Sequence, residues 1–257
     1  MAILAGMSRY RKTNPGRFSD ALLREAEGLR LLAGVLARAD VTELQVPRVH
    51  SVDEQVLEMT RIDPIPATTE HLVRLGRGLA RLHRVPQPAY GLEQDNYIGL
   101  APQSNGLSSN WGEFFVHRRL WFQVGLIREP AVAREVSAVL ERQQDRLIAC
   151  LNDHHPESSL LHGDLWSGNV LFDQNGVWLI DPAVYCGDRE ADLAMTELFG
   201  GFGAAFYQAY DEVWPRRSGY PVRRDIYNLY HALNHFNLFG SGYLSVCRRY
   251  LGTVRSL

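Results

Sequence analysis

Apolar residues return every three or four positions at Leu22, Leu23, Ala26, Leu29, Leu32, Ala33 and Leu36, which predicts a helix with Ser19 or Asp20 as its cap. The period then changes. Residues 45–52 and 55–59 read as two strands of an antiparallel hairpin turning at Asp53-Glu54. The proline-punctuated stretch from Thr60 to Pro66 follows and is the expected lobe boundary. Beyond it the helical period resumes at Leu72, Leu75, Leu79 and Leu82, then over residues 111–127 and 130–151. Leu160-Leu161, Val170-Leu171-Phe172 and Val177-Trp178-Leu179-Ile180 are short apolar strands, the last two joined by the turn Asp173-Gln174-Asn175-Gly176. A further helix is expected to open within Gly187 to Leu193, with two more after it. The pattern is α+β: a small β-rich lobe over residues 1–62 and a larger, mostly helical lobe over 63–257.

Composition narrows the class. The chain has 257 residues, 46% of them hydrophobic, and a formal net charge of -2, as expected of a soluble globular protein. No basic excess points to nucleic acid or an anionic membrane surface, and no apolar run approaches the roughly 18 residues of a membrane span. The opening Met-Ala-Ile-Leu-Ala-Gly-Met has neither a basic leader nor a long apolar core, so it is a poor signal peptide. Cys150, Cys186 and Cys247 are odd in number and lack metal-ligand spacing, which suits reduced thiols in a cytoplasmic protein. Of 27 basic residues, 26 are arginine and the only lysine is Lys12. A compact ammonium and a planar guanidinium are not interchangeable in a tight phosphate site, so the exception draws attention.

The chemistry concentrates in His162-Gly163-Asp164-Leu165-Trp166-Ser167-Gly168-Asn169 and in Leu179-Ile180-Asp181-Pro182. Asp164 stands five residues before a carboxamide, and Asp181 stands twelve after it. Phosphoryl transfer needs such a set: a base for the attacking hydroxyl and oxygen ligands that hold magnesium against nucleotide phosphates. Magnesium takes hard oxygen donors and few protein carboxylates, which Asn169 and Asp181 would supply. The predicted hairpin would bring those two side by side. In the kinase arrangement a strand lysine contacts the phosphates and is held by a glutamate of the next helix. Lys12 with Glu25 fits, and Glu27 is the competing choice. A hinge at the boundary would present the backbone of Glu58, Met59 and Thr60 to an adenine edge. His231 and His235 stand at i and i+4 among Leu and Phe, where helix packing is favoured over metal ligation.

With these residues in place the chain resembles the fructosamine/ketosamine kinase family, a branch of the aminoglycoside- and choline-phosphotransferase group with the protein-kinase-like two-lobed fold. The resemblance runs from Lys12 onward. It is densest in Asp95-Asn96-Tyr97-Ile98-Gly99, in the Asp164 loop, in Ile180-Asp181-Pro182-Ala183-Val184-Tyr185 and in the stretch from Gly187 to Thr196. It implies ATP- and magnesium-dependent phosphorylation of a sugar hydroxyl on a ketosamine, a small-molecule or glycated-amine substrate. Asp164 would be the base, Asn169 and Asp181 the metal ligands, and Lys12 with Glu25 the phosphate contact. Trp166 would offer the sugar an apolar face or pack beneath the loop, and Asp188 would meet a cationic amine. Asp192 is expected to fix the loop by hydrogen bonds rather than touch substrate.

One departure stands out. Family members carry two further strands and a glycine-containing phosphate-covering loop before the lysine strand, whereas eleven residues precede Lys12 here, with Gly6 the sole glycine. The N-terminal lobe as given therefore reads as shortened, by a start codon assigned too late, a natural truncation or decay, with an unpaired edge strand that would favour a homodimer over a monomer. Two alternatives stay open: a phosphotransferase for another amino-alcohol or aminoglycoside, and a catalytically inactive nucleotide-binding protein.

Overall fold

Burial alternates with period two along Val56–Thr60, and this puts Leu57 and Met59 on one face of a small sheet. The computed structural model describes residues 9–257; the opening segment weighed as a signal peptide, with Gly6, lies outside the described residues. Strands β1 (Arg9–Thr13), β3 (Val49–Val52) and β4 (Val56–Thr60) form an antiparallel sheet in the order β1-β4-β3. Helix α1 (Ala21–Arg38) lays Leu22, Ala26 and Leu29 on Leu57 and Met59. The run read as one strand over residues 45–52 is two. Pro47, which has no N–H to give a ladder, separates β2 (Leu44–Gln45) from β3. β2 runs parallel to β9 (Gly176–Leu179) instead. The small sheet ends at Thr60, but the packing does not divide at residue 62. The far half of α1 (Leu32, Val35, Leu36) and Leu44 belong to the core built on Leu75, Leu79, Leu160 and Leu179.

The rest is mostly helical. Helix α2 (Thr69–His83) starts in a capping box, Thr68 accepting from His71 N at 3.2 Å. A hairpin of β5 (Asn96–Ile98) and β6 (Ala101–Gln103) follows. The helix expected over residues 111–127 comprises α3 (Trp111–Phe115), a π-helical stretch Val116–Trp121 and α4 (Phe122–Gly125). The π stretch carries fully buried Arg119, whose guanidinium lies 4.0 Å from the centroid of the Tyr185 ring. Then come α5 (Pro130–Asn152), β7 (Ser158–Leu161), β8 (Val170–Asp173), β9, β10 (Tyr185–Asp188), α6 (Glu190–Leu198), α7 (Ala204–Val213), α8 (Tyr220–Phe239) and α9 (Leu244–Arg255). Tyr185 to Asp188, partly read as the start of a helix, pairs antiparallel with β7, and α6 opens only at Glu190. His231 is buried in α8 and His235 Nδ1 lies 2.8 Å from its carbonyl, so both are packed into the helix. Among the described residues no helix is long and apolar enough to cross a membrane.

Candidate active site

Strand β7 ends at Leu161 and delivers the His162-Gly163-Asp164 turn. Gly163 has φ of 83°, and a Cβ there would stand 2.0 Å from the Ala183 carbonyl oxygen, so a side chain is excluded twice over. Asp192, buried in α6, accepts from the backbone N–H of His162 at 2.7 Å and of Gly163 at 2.9 Å. From the other side, His162 Nε2 lies 2.9 Å from the Ile180 carbonyl oxygen. The loop is thus tied both to α6 and to the end of β9 before Asp164 is reached. Asn169 Nδ2 donates to the Asp164 carbonyl at 2.9 Å and to Asp164 Oδ2 at 3.2 Å. The β8–β9 hairpin pairs Val170 with Leu179, and Ile180 N donates to Asn169 O at 3.0 Å. That register carries Asn169 to the beginning of the Asp181 segment. Asp181 itself is held at φ of 51°, a left-handed conformation that costs a non-glycine residue about 1–3 kcal/mol and collects at functional sites.

Lys12 of β1 completes the group. Its Nζ lies 2.8 Å from Glu25 and 2.9 Å from Asp181, whereas Glu27 pairs with Arg24 at 2.9 Å. Burial works against the ammonium charge, but the two carboxylates outweigh it and hold the Lys12 pKa above its usual value. Asp164 goes the other way. Desolvation pushes its carboxyl up to about 7, helped by the charges of Asp181 and Asp192 and opposed by the Asn169 hydrogen bond. Such a carboxyl is poised near neutrality, as a base for a hydroxyl proton should be. The donor set also fits magnesium. Among the described residues no hydrogen-bond donor reaches Asn169 Oδ1 or Asp181 Oδ2, so each has a free hard oxygen at the cleft. The cleft is lined by Lys12, Glu25, Asp164, Trp166, Asn169 and Asp181, and by Arg24, Asn96 and Tyr97, which sequence reasoning had not placed there.

A family model described as fructosamine kinase matches residues 5–256. The chain belongs to the fructosamine kinase family. Relatives of this family include a probable ketoamine kinase of Vibrio vulnificus, 39% identical over 98% of this chain and 86% of the relative. The chloroplastic protein-ribulosamine 3-kinase of Arabidopsis thaliana is 39% identical over 82% of this chain and 67% of that protein. A crystal structure from Thermobifida fusca assigned as a fructosamine-3-kinase superposes with a TM-score of 0.83 at 31% identity, over 97% of this chain and 86% of that one. Choline kinase LicA of Streptococcus pneumoniae, 14% identical with a TM-score of 0.63 over 98% of this chain and 88% of its own, shares the fold. The chain is a small-molecule kinase with the protein-kinase-like architecture of that family.

The structure places two sets of expected contact residues of this fructosamine kinase family member as follows. Glu58, Met59 and Thr60 lie in β4, the middle strand, paired with β1 on one side and β3 on the other up to Met59, and Thr60 N donates to Arg48 O at 3.0 Å. Their backbone is held within the sheet, Met59 is buried in the small core, and the first residues past the ladder are Arg61 and Ile62. Asp188 does not line the cleft. It is 2% exposed and accepts from Tyr227 at 2.5 Å and from Glu190 N at 3.0 Å, with His154 Nε2 at 2.8 Å. Glu190 beside it is paired with Arg223 at 2.7 Å, so both carboxylates are held by fixed partners. Trp166 is at the cleft and 39% exposed, with its edge against Phe199.

Proposed function

We propose that this protein transfers a phosphoryl group from ATP to a sugar hydroxyl of a ketosamine, with Asp164 as the base. The observation that carries the reading is the shared cleft of Asp164, Asn169, Asp181, Lys12 and Glu25, in a chain whose relatives are named as ketoamine and ribulosamine kinases. Asp164 accepts the proton of the acceptor hydroxyl as the hydroxyl oxygen attacks the γ-phosphorus and the bond from that phosphorus to the β–γ bridging oxygen breaks, releasing ADP, while Asn169 holds the carboxylate in place. Lys12 is directed by Glu25 and neutralises phosphate charge. Asn169 and Asp181 would hold magnesium, which, when bound, offsets charge on the transferring phosphoryl group. Trp166 presents a partly exposed indole on the same side as Asp164, a fit for the C–H face of a sugar.

The test is phosphorus NMR of the protein with ATP, magnesium and fructosyl-lysine. A new sugar-phosphate resonance is expected, and it should vanish in Asp164→Ala while nucleotide affinity stays within about twofold of wild type. No sugar-phosphate signal from the wild-type chain overturns the acceptor assignment. An Asp164→Ala protein retaining more than a few percent of turnover overturns the assignment of the base.

A further inference from the structure

The motif Asp95-Asn96-Tyr97-Ile98-Gly99 has no chemical role in the reading above, although Asn96 and Tyr97 line the cleft. Its bonds reach the two carboxylate partners of Lys12 by separate routes. Tyr97 stacks on Phe18, centroids 4.5 Å apart, and its hydroxyl donates to Asp20 Oδ1 at 2.5 Å. Asp20 is the N-cap residue of α1, the helix that carries Glu25, yet its side chain caps nothing. The carboxylate is committed to Tyr97 and, through Oδ2, to Arg24 Nε at 3.0 Å, and Arg24 also donates to Gln94 just before the motif. An aspartate at this position ordinarily accepts from the first-turn N–H groups. Here the start of the helix is fixed from outside, by the hairpin.

The second route leads to Asp181. Asn96 Nδ2 donates to the Val184 carbonyl at 2.8 Å, and Gln103 Nε2 donates to the Ala183 carbonyl at 3.0 Å, three and two residues past Asp181. Both carboxamides are buried and linked through Asn96 Oδ1, which accepts from Gln103 at 2.9 Å and from Asn105 at 2.8 Å. Gln103 Oε1 in turn accepts from Tyr230 at 2.8 Å. One two-stranded unit is therefore bonded to the start of the Glu25 helix and to the segment after Asp181.

We propose that the β5–β6 hairpin is the positioning element of the Lys12 site, with Tyr97 setting the Glu25 side through Asp20 and Asn96 setting the Asp181 side. This rests on the reading of Lys12 as the phosphate contact. Tyr97 is a positioning residue: it acts on the nucleotide through Asp20 and α1, and the distance between Glu25 and Asp181 follows from the hairpin.

Lys12 is the only lysine, so protein labelled with ¹⁵N-lysine gives one side-chain ammonium resonance, readable without any substrate. Tyr97→Phe, Asp20→Ala and the double variant are compared with wild type for this resonance, for the Kd of ATP with magnesium by calorimetry, and for Tm. Each single variant is expected to move the Lys12 signal towards that of a free lysine and to weaken nucleotide binding about tenfold, the scale of a lost hydrogen bond to a charged group. The double variant should be no worse than the Asp20 variant alone, because removing the Asp20 carboxylate already removes the bond that Tyr97→Phe removes. A Lys12 resonance that stays put in both single variants overturns the proposal. Losses that multiply in the double variant, or a loss in Tyr97→Phe with none in Asp20→Ala, also overturn it, because Tyr97 would then act by direct contact. A wild-type protein that binds no ATP overturns the functional reading instead, and the Lys12 resonance still decides the role of the hairpin.

Discussion

Asp192→Ala is the perturbation whose cost the structure sets most directly. The carboxylate is 1% exposed and serves three groups: the His162 N–H at 2.7 Å, the Gly163 N–H at 2.9 Å and His83 Nε2 at 3.2 Å. Truncation strands two backbone donors in a site with no room to rearrange, at about 1–3 kcal/mol each. With the lost His83 contact the total comes to about 4 kcal/mol, a large share of the 5–15 kcal/mol that holds a typical domain. At roughly 2–4 °C per kcal/mol for a chain of this size, Tm should fall by about 8–16 °C. Asp192→Asn should lose about half as much, since one amide oxygen still accepts one N–H while its NH₂ faces the other. The pH dependence has a definite sign. Burial raises the Asp192 pKa, but the His83 contact and the loop N–H groups outweigh it and hold the carboxyl below its usual range. The stabilisation is therefore fully present above the unfolded value of about 4 and disappears as pH falls through the lower folded value. Urea unfolding followed by tryptophan fluorescence should give a gap between wild type and Asp192→Ala that is open at pH 5 and narrows below 4. An alanine variant within 1 kcal/mol of wild type at pH 7, or a gap that widens as pH falls below 4, would refute the account of the loop.

Two further outcomes follow from the cleft. Because the Asp164 carboxyl is pushed up to about 7, kcat/KM should climb roughly tenfold per pH unit below neutrality and level off above it, and a flat profile between pH 5.5 and 8 would rule Asp164 out as the ionising base. A Cβ at Gly168 would stand 2.2 Å from the Trp166 indole, so Gly168→Ala should turn the ring and raise the acceptor KM several-fold, with nucleotide Kd and Tm near wild type; an unchanged acceptor KM would exclude Trp166 from the sugar site.

Local pattern made part of this site legible. The β8–β9 hairpin is four residues of strand, a turn and four of strand, so the meeting of Asn169 with the Asp181 segment is written within a dozen residues. Glu25 was separable from Glu27 because helical spacing sets which of them faces inward with Leu29. Strand β10 was hidden because Tyr185 to Asp188 is nearly all buried and shows no alternation, and its partner β7 comes much earlier in the chain. The role of Tyr97 depends on Asp20, 77 residues before it, which no window along the chain contains.

The same distinction explains which carboxylates face the cleft. Around the loop, Asp164, Asp181, Asp188 and Asp192 are alike in residue type and close in sequence. Asp188 meets His154, Tyr227 and a backbone N–H, and Asp192 meets two backbone N–H groups and His83; both are buried and fully engaged. Asp164 has the Asn169 amide alone, and Asp181 has Lys12 alone. A carboxylate with three fixed donors is held as structure, and one with a single donor keeps lone pairs for a proton or a metal ion. The donors that make this difference for Asp188 lie 34 and 39 residues away, in the turn after α5 and on α8. Motif spacing therefore marks where acidic chemistry gathers, and the distant helices decide which of its members can perform it.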